Sequence, residues 1–176
     1  MYRIKKLVLS IALLMLWPFM AGAQQSVIGV YGAGAVPVGE FGYFSNIGVG
    51  GGISYDYLIG ARFSLGAEIH LLRFGEQQFV DIPILVMPVL VNVGYHTDLT
   101  PKLGLIGKIG GGYFIYPDFD ELENEGFGVS AQIGIDRILT ANRTFTLMAG
   151  YSYAPAGLIS TSYVSLMAGV QFLISP

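Results

Sequence analysis

The sequence predicts an all-β fold: an eight-stranded antiparallel up-and-down transmembrane β-barrel at residues 24–176, preceded by a cleaved signal peptide at residues 1–23. Three observations predict it. Apolar residues recur with a period of two along most of the chain, the signature of strands whose two faces meet different surroundings. The composition is 53% hydrophobic and only 12% charged, with a mean hydropathy of +0.59, yet beyond the first residues no 18 consecutive apolar residues run unbroken. The chain also opens like an exported protein. A hydrophobic exported chain without membrane helices has one common solution, a closed barrel in an outer membrane, because lipid satisfies no backbone polar group.

At the start, Arg3, Lys5 and Lys6 form a basic segment, Leu7 to Met20 an apolar run, and Ala21-Gly22-Ala23 a small-residue cleavage site. The run is short for a 30 Å hydrocarbon core and Pro18 interrupts its end, which favours a signal over a retained helix. The chain has no Cys, so disulfides, thiolate metal sites and a Cys-linked lipid anchor are excluded. Without Arg3, Lys5 and Lys6, six Lys and Arg face twelve Asp and Glu, a net charge of −6. With no basic run to neutralise phosphates, nucleic acid is not an expected partner.

The first strand, Val27 to Val36, is rich in Gly and Ala and leaves its facing open. Pro37 to Ser45 connects it to a hairpin. There Ile47, Val49, Ile53, Tyr55 and Tyr57 alternate with Gly48, Gly50, Gly52, Ser54 and Asp56. After a break at 58–61, Phe63, Leu65, Ala67, Ile69 and Leu71 alternate with Ser64, Gly66, Glu68 and His70. Arg73 to Asp81 is a polar connection. The fourth strand, Leu85 to Tyr95, contains Pro88, which predicts a bulge or locally broken pairing. His96 to Pro101 reads as a turn. In the fifth strand, Lys102 to Ile115, Leu103, Leu105, Ile109, Tyr113 and Ile115 oppose Gly104, Ile106, Lys108, Gly110 and Gly112. An acidic loop leads to the sixth, with Gly128, Ser130, Gln132, Gly134 and Asp136 on its small face, and 137–143 reads as a turn. The seventh sets Phe145, Leu147, Ala149, Tyr151 and Tyr153 against Thr146, Met148, Gly150 and Ser152. The eighth sets Val164, Leu166, Ala168, Val170 and Phe172 against Tyr163, Ser165, Met167, Gly169 and Gln171.

A soluble eight-stranded carrier would show the same period but needs a surface about a quarter to a third charged. The first, fourth, seventh and eighth strands carry no charge on either face, so the apolar face must meet lipid and the small, polar face must line the interior. The aromatics agree. Tyr55, Tyr57, Phe63, Tyr95, Phe145 and Phe172 fall at one end of the strands, and Tyr113, Phe127, Tyr151 and Tyr153 at the other, as two interfacial girdles. Connections around Phe41, Glu76, Asp120 and Ala156 are expected outside, and turns near Ile59, Thr100 and Ala141 in the periplasm. Arginine at Leu105, read as mid-strand on the lipid face, is expected to cost about 2–4 kcal/mol.

These residues also carry a resemblance. Gly29 to Phe41 (GVYGAGAVPVGEF), with its Pro-x-Gly-x-Phe loop entry, and the following GVGGGISYDY resemble the small outer-membrane β-barrel family, the porin-like, eight-stranded OmpA, OmpX and OmpW types. The last strand, YVSLMAGVQF, resembles the aromatic-ended strand that such barrels present to the assembly machinery, although Leu173 to Pro176 follow it. The resemblance covers the chain beyond the signal and implies a Gram-negative outer membrane. Outer-membrane lipid and the barrel assembly machinery are the expected partners; the loop ligand is open, and a monomer is expected.

The interior polar residues invite a chemical reading. Glu68 and His70 stand two apart, with Ser64, Ser130, Ser152 and Ser165 also inward, and a Glu-His-Ser hydrolase can be drawn from them. Lipid hydrolysis needs its groups at the lipid face, however, so no catalytic residue and no cofactor is expected. The acidic stretch from Asp118 to Glu125 offers oxygen ligands without EF-hand spacing and reads as a solvated loop rather than a metal site. His96 is expected to be exposed, without a companion ligand. Glu68, His70, Lys108, Gln132 and Asp136 form an expected lumen cluster, structural or gating. Glu68 and Lys108, each six residues above its periplasmic turn, are its expected ion pair. Eight strands leave room for little more than side chains, so the expected function is a non-enzymatic barrel, structural or acting through its loops. A narrow channel or carrier for small solutes, hydrophobic ones included, is the alternative.

Overall fold

The structure is a computed structural model that describes residues 25–76, 83–117, 125–156 and 159–174. The expected signal and the acidic residues Asp118 to Glu123 lie outside the described residues. Eight strands follow one another: β1 (Ser26–Pro37), β2 (Gly48–Ile59), β3 (Phe63–Phe74), β4 (Ile84–Thr100), β5 (Leu103–Ile115), β6 (Glu125–Thr140), β7 (Arg143–Ala156) and β8 (Ile159–Ile174). One short helix, α1 (Phe41–Phe44), sits between β1 and β2. Each strand pairs antiparallel with the next, and β8 pairs with β1 from Ser26↔Ile174 to Pro37↔Tyr163, which closes the barrel. Closure removes every sheet edge, the condition for placing strands in lipid. Among the described residues no helix is long and apolar enough to cross a membrane.

The alternation predicted for the strands is observed. Along β4, Val86, Pro88, Leu90, Asn92 and Gly94 are buried in the lumen while Val91, Val93 and Tyr95 are exposed on the outer wall. The open question in β1 is resolved by side-chain size: Tyr31 and Ala35 point inward, and Ile28, Val30 and Val36 outward. Pro88 makes no bulge. It pairs with Phe114 of β5, while the β3–β4 ladder skips Met87 and Pro88 between Val86 and Val89 without changing register. That is the locally broken pairing a residue without an N–H imposes.

Two expected turns are strand instead. His96 to Thr100 continues β4 and 137–140 continues β6, because β-branched Thr97 and Ile138 suit a pleated strand and their ladders with β5 and β7 run on. Each extension ends in a register shift, at Asp98/Thr100 and at Ile138/Thr140, the kind of bulge that terminates pairing at a barrel rim. The β4–β5 and β6–β7 connections shrink to two residues each. At the β2–β3 turn Gly60 takes φ +66°, a left-handed conformation that glycine adopts without a Cβ penalty.

The outer wall carries Ile, Leu and Val between aromatic pairs. Phe63 packs edge-on against Tyr95 at 5.3 Å toward the end with the short turns, and Tyr113 against Phe127 at 6.1 Å toward the other. Leu105 is not the mid-membrane position. It stands two residues inside β5, paired with Thr97 and Ile135 near the rim. The middle of β5 is Ile109, 68% exposed and flanked by Val93 and Ala131. Ile109→Arg should therefore cost about 2–4 kcal/mol in unfolding from lipid, and Leu105→Arg only about 0–1. Equal costs at the two positions would displace the bilayer from where the wall puts it.

Candidate functional site in the barrel lumen

The lumen is filled in two layers of different chemistry. In the layer nearer the short turns, Lys108 of β5 donates from Nζ to both carboxylate oxygens of Asp56 on β2, at 2.9 and 2.8 Å. Both side chains are almost wholly buried. Gly66 lies opposite Asp56, and a Cβ there would run into the Asp56 carboxylate. Around this pair, Ser54 donates to the Tyr31 hydroxyl at 3.3 Å and Gln171 donates to it at 2.7 Å. Glu68 takes a different partner: Gln132 donates from Nε2 to Glu68 Oε1 at 2.6 Å. His70 Nε2 stands 3.5 Å from Glu68 Oε2, long for a hydrogen bond but close enough for Coulombic attraction when the ring is protonated.

The expected cluster of Glu68, His70, Lys108 and Gln132 is thus gathered in one place, but the expected ion pair is not. Lys108 bonds Asp56 rather than Glu68. Counting residues up from the turns ignores the stagger of a closed barrel. Following the ladders, Lys108 lies level with Gly94, Ser64 and Leu58. Asp56 is two residues from that line, whereas Glu68 is four.

Asp136 stands apart, at the rim. With His96 it lines a vestibule of about 260 Å³ at the short-turn end. His96 is therefore neither in a turn nor simply exposed. Its Nε2 lies 3.1 Å from Ser64 Oγ and its Nδ1 3.9 Å from Asp136 Oδ2. The order Ser-His-Asp is that of a hydrolytic triad, but Ser64 is 1% exposed and 3.9 Å is beyond a hydrogen bond. A sealed hydroxyl meets no substrate. Among the described residues no group of three His, Cys, Asp or Glu could hold a metal ion.

Toward the long connections the inward face is large and apolar, where the sequence predicted small and polar. Leu72 and Phe74 of β3, Val86 and Leu90 of β4, Phe114 of β5 and Tyr163 of β8 form one buried cluster. Phe74 packs against Tyr163 with ring centroids 5.5 Å apart, and Phe114 against Tyr163 at 6.5 Å. An eight-stranded lumen holds such rings only where a neighbour gives way. A Cβ at Gly48 would come within 2.7 Å of the Phe74 ring, and one at Gly128 within 2.5 Å of Phe114. Helix α1 closes the top. Phe41 enters the cluster edge-on to Phe74 at 4.9 Å, and Ser45 donates to the Phe41 carbonyl from both N and Oγ. Val38 N bonds the Ser162 carbonyl and Ser162 Oγ the Val38 carbonyl, tying the segment to β8. At the boundary between the layers a void of about 10 Å³ lies among His70, Leu90, Gln132 and Ser165, room for about one water molecule.

Residues 9–172 match the family profile of the outer membrane protein beta-barrel domain. Comparison with curated protein sequences gives no significant match. Several solved structures share the fold. The outer membrane protein OprG of Pseudomonas aeruginosa is 14% identical with a TM-score of 0.62, covering 88% of this chain and 98% of its own. Neisserial surface protein A (NspA) is 14% identical with a TM-score of 0.62, covering 84% and 95%. Ail, the attachment invasion locus protein of Yersinia pestis, solved with the heparin analogue sucrose octasulfate, is 20% identical with a TM-score of 0.54, covering 85% and 99%. At these identities the likeness is one of fold.

Proposed function

The chain belongs to the family of outer-membrane β-barrel domains, and from that premise we propose that it is a closed, non-catalytic barrel of the Gram-negative outer membrane, acting as a structural element and through its outer connections. The observation that carries this reading is the filled lumen. A buried ion pair and its hydrogen-bonded neighbours occupy one half, and packed aromatic and aliphatic side chains occupy the other. A channel or carrier would need space that Phe74, Phe114 and Leu90 take up. Catalysis is disfavoured because Glu68 is engaged by Gln132 and Ser64 is sealed. What remains available to partners is the outer rim. The sequence of the connections on that side is acidic: residues 37–47, 73–83 and 116–125 carry eight Asp and Glu against Arg73 alone.

The test is complementation. A variant with residues 76–83 and 117–124 replaced by two-residue turns should fold but fail to restore surface behaviour to a strain lacking the chain. Ser152→Ala, which alters only the lumen, should restore it. Full restoration by the loop-shortened variant would overturn the proposal. Sidedness is checked separately: cysteines placed at Glu121 and Asn142 should label oppositely in intact cells, and labelling of Asn142 alone would invert the barrel.

A further inference from the structure

The sequence has no basic run, but folding gathers three cations at the short-turn end. Lys102 precedes Leu103, which pairs with Arg137, and the Lys102 carbonyl accepts a hydrogen bond from Ile138 N. Arg137 lies opposite Phe145 on β7, so Arg143, two residues along, is its diagonal neighbour, roughly 7–8 Å away. By strand parity Arg137 and Arg143 both belong to the lipid-facing side. All three residues are exposed, and among the described residues none has a carboxylate within ion-pair distance. The acids of this rim, Asp98 and Asp136, line the vestibule on the inward side instead. The Arg143 guanidinium is placed 5.8 Å above the Phe172 ring, an arrangement that orders it at the interfacial girdle.

A second feature crosses the same three strands. Gly107 of β5, Ala131 of β6 and Ala149 of β7 floor a depression of about 640 Å³ in the outer wall, almost wholly apolar and extending to Phe63 and Tyr95 on one side and to Val164 of β8 on the other. From Arg137 to Ala131 is six residues, about 20 Å along the strand and about 15 Å along the membrane normal at a tilt of about 40°. That matches half the thickness of the hydrocarbon core, about 15 Å.

We propose that β5, β6 and β7 hold one anionic phospholipid of the periplasmic leaflet, its phosphate at Lys102, Arg137 and Arg143 and an acyl chain in the groove over Gly107, Ala131 and Ala149. The two features are independent, and together they have the polarity and spacing of a single lipid molecule. The inference does not depend on whether the lumen conducts. It gives an acidic protein a specific hold on a leaflet whose anionic lipids would otherwise repel it.

Native mass spectrometry of the purified barrel, titrated with dioleoyl phosphatidylglycerol or dioleoyl phosphatidylethanolamine, tests this. The wild type should retain one phosphatidylglycerol in preference to phosphatidylethanolamine. Each charge removed near the surface weakens such binding about fivefold, so Arg137→Gln with Arg143→Gln should lower phosphatidylglycerol affinity about 25-fold and erase the preference. Arg62→Gln, on the β2–β3 turn, should change neither. Gly107→Leu with Ala131→Leu fills the groove; a Cβ at Gly107 meets nothing nearer than 3.9 Å, so the wall tolerates it. That variant should weaken retention of both lipids while keeping the preference. No preference in the wild type, an Arg62→Gln effect equal to that of the arginine pair, or unchanged retention in the groove variant would each overturn the proposal.

Discussion

Replacing Lys108 with Met should lower the stability of the barrel by about 3–5 kcal/mol in unfolding from lipid, because it leaves the Asp56 carboxylate buried without its partner. Truncation of one member of a desolvated pair costs far more than a surface bridge, since the surviving charge keeps its desolvation penalty. Asp56→Asn combined with Lys108→Met should recover much of the loss, and the double-mutant cycle should show strong coupling. The cycle of Glu68→Gln with Lys108→Met should show weaker coupling, because Glu68 is bonded to Gln132 and acts on Lys108 only at a distance. A coupling energy near zero for Asp56 and Lys108 would remove the pair as the organiser of the polar layer.

Phe74→Ala should cost a similar amount, about 3–5 kcal/mol, by a different mechanism. Phe74 is 0% exposed and touches both Phe41 and Tyr163, so its removal opens a cavity that rigid strands cannot close. Phe74→Leu should recover most of the loss. The effect should be insensitive to salt and pH. A cost below about 1 kcal/mol would mean that the upper lumen is loosely filled and that α1 is not seated in it.

The barrel was legible because lipid and lumen impose opposite demands on alternate residues. In the β2–β3 hairpin Ser54, Asp56, Ser64, Gly66 and Glu68 all turn inward, as their parity predicted. Other features depend on information that period two does not carry. Strand ends were read short at His96 and Arg137 because polar residues at a membrane rim resemble turn residues, and only the ladders with β5 and β7 show the pairing continuing. The partner of Lys108 was missed because shear, which sets heights across the lumen, is a property of the closed sheet rather than of any one strand. Asp56 was visible as an inward acid, but nothing local ranks it above Glu68. The apolar upper lumen had a faint signal in Leu72, Phe74, Val86 and Leu90, which continue the inward parity of their strands as large residues, and in the glycines placed against the two rings. The basic corner at Lys102, Arg137 and Arg143 has no signal along the chain at all, since two separate turns must meet to build it.

The central claim is that side chains close the lumen, and single-channel recording in planar bilayers addresses it directly. The purified wild-type protein, inserted at a density confirmed by labelling, should leave the bilayer conductance at its protein-free baseline across both polarities. Reproducible stepwise openings from the wild type would contradict a lumen sealed by the Asp56–Lys108 pair below and the Phe41–Phe74–Tyr163 cluster above, and would make the chain a channel.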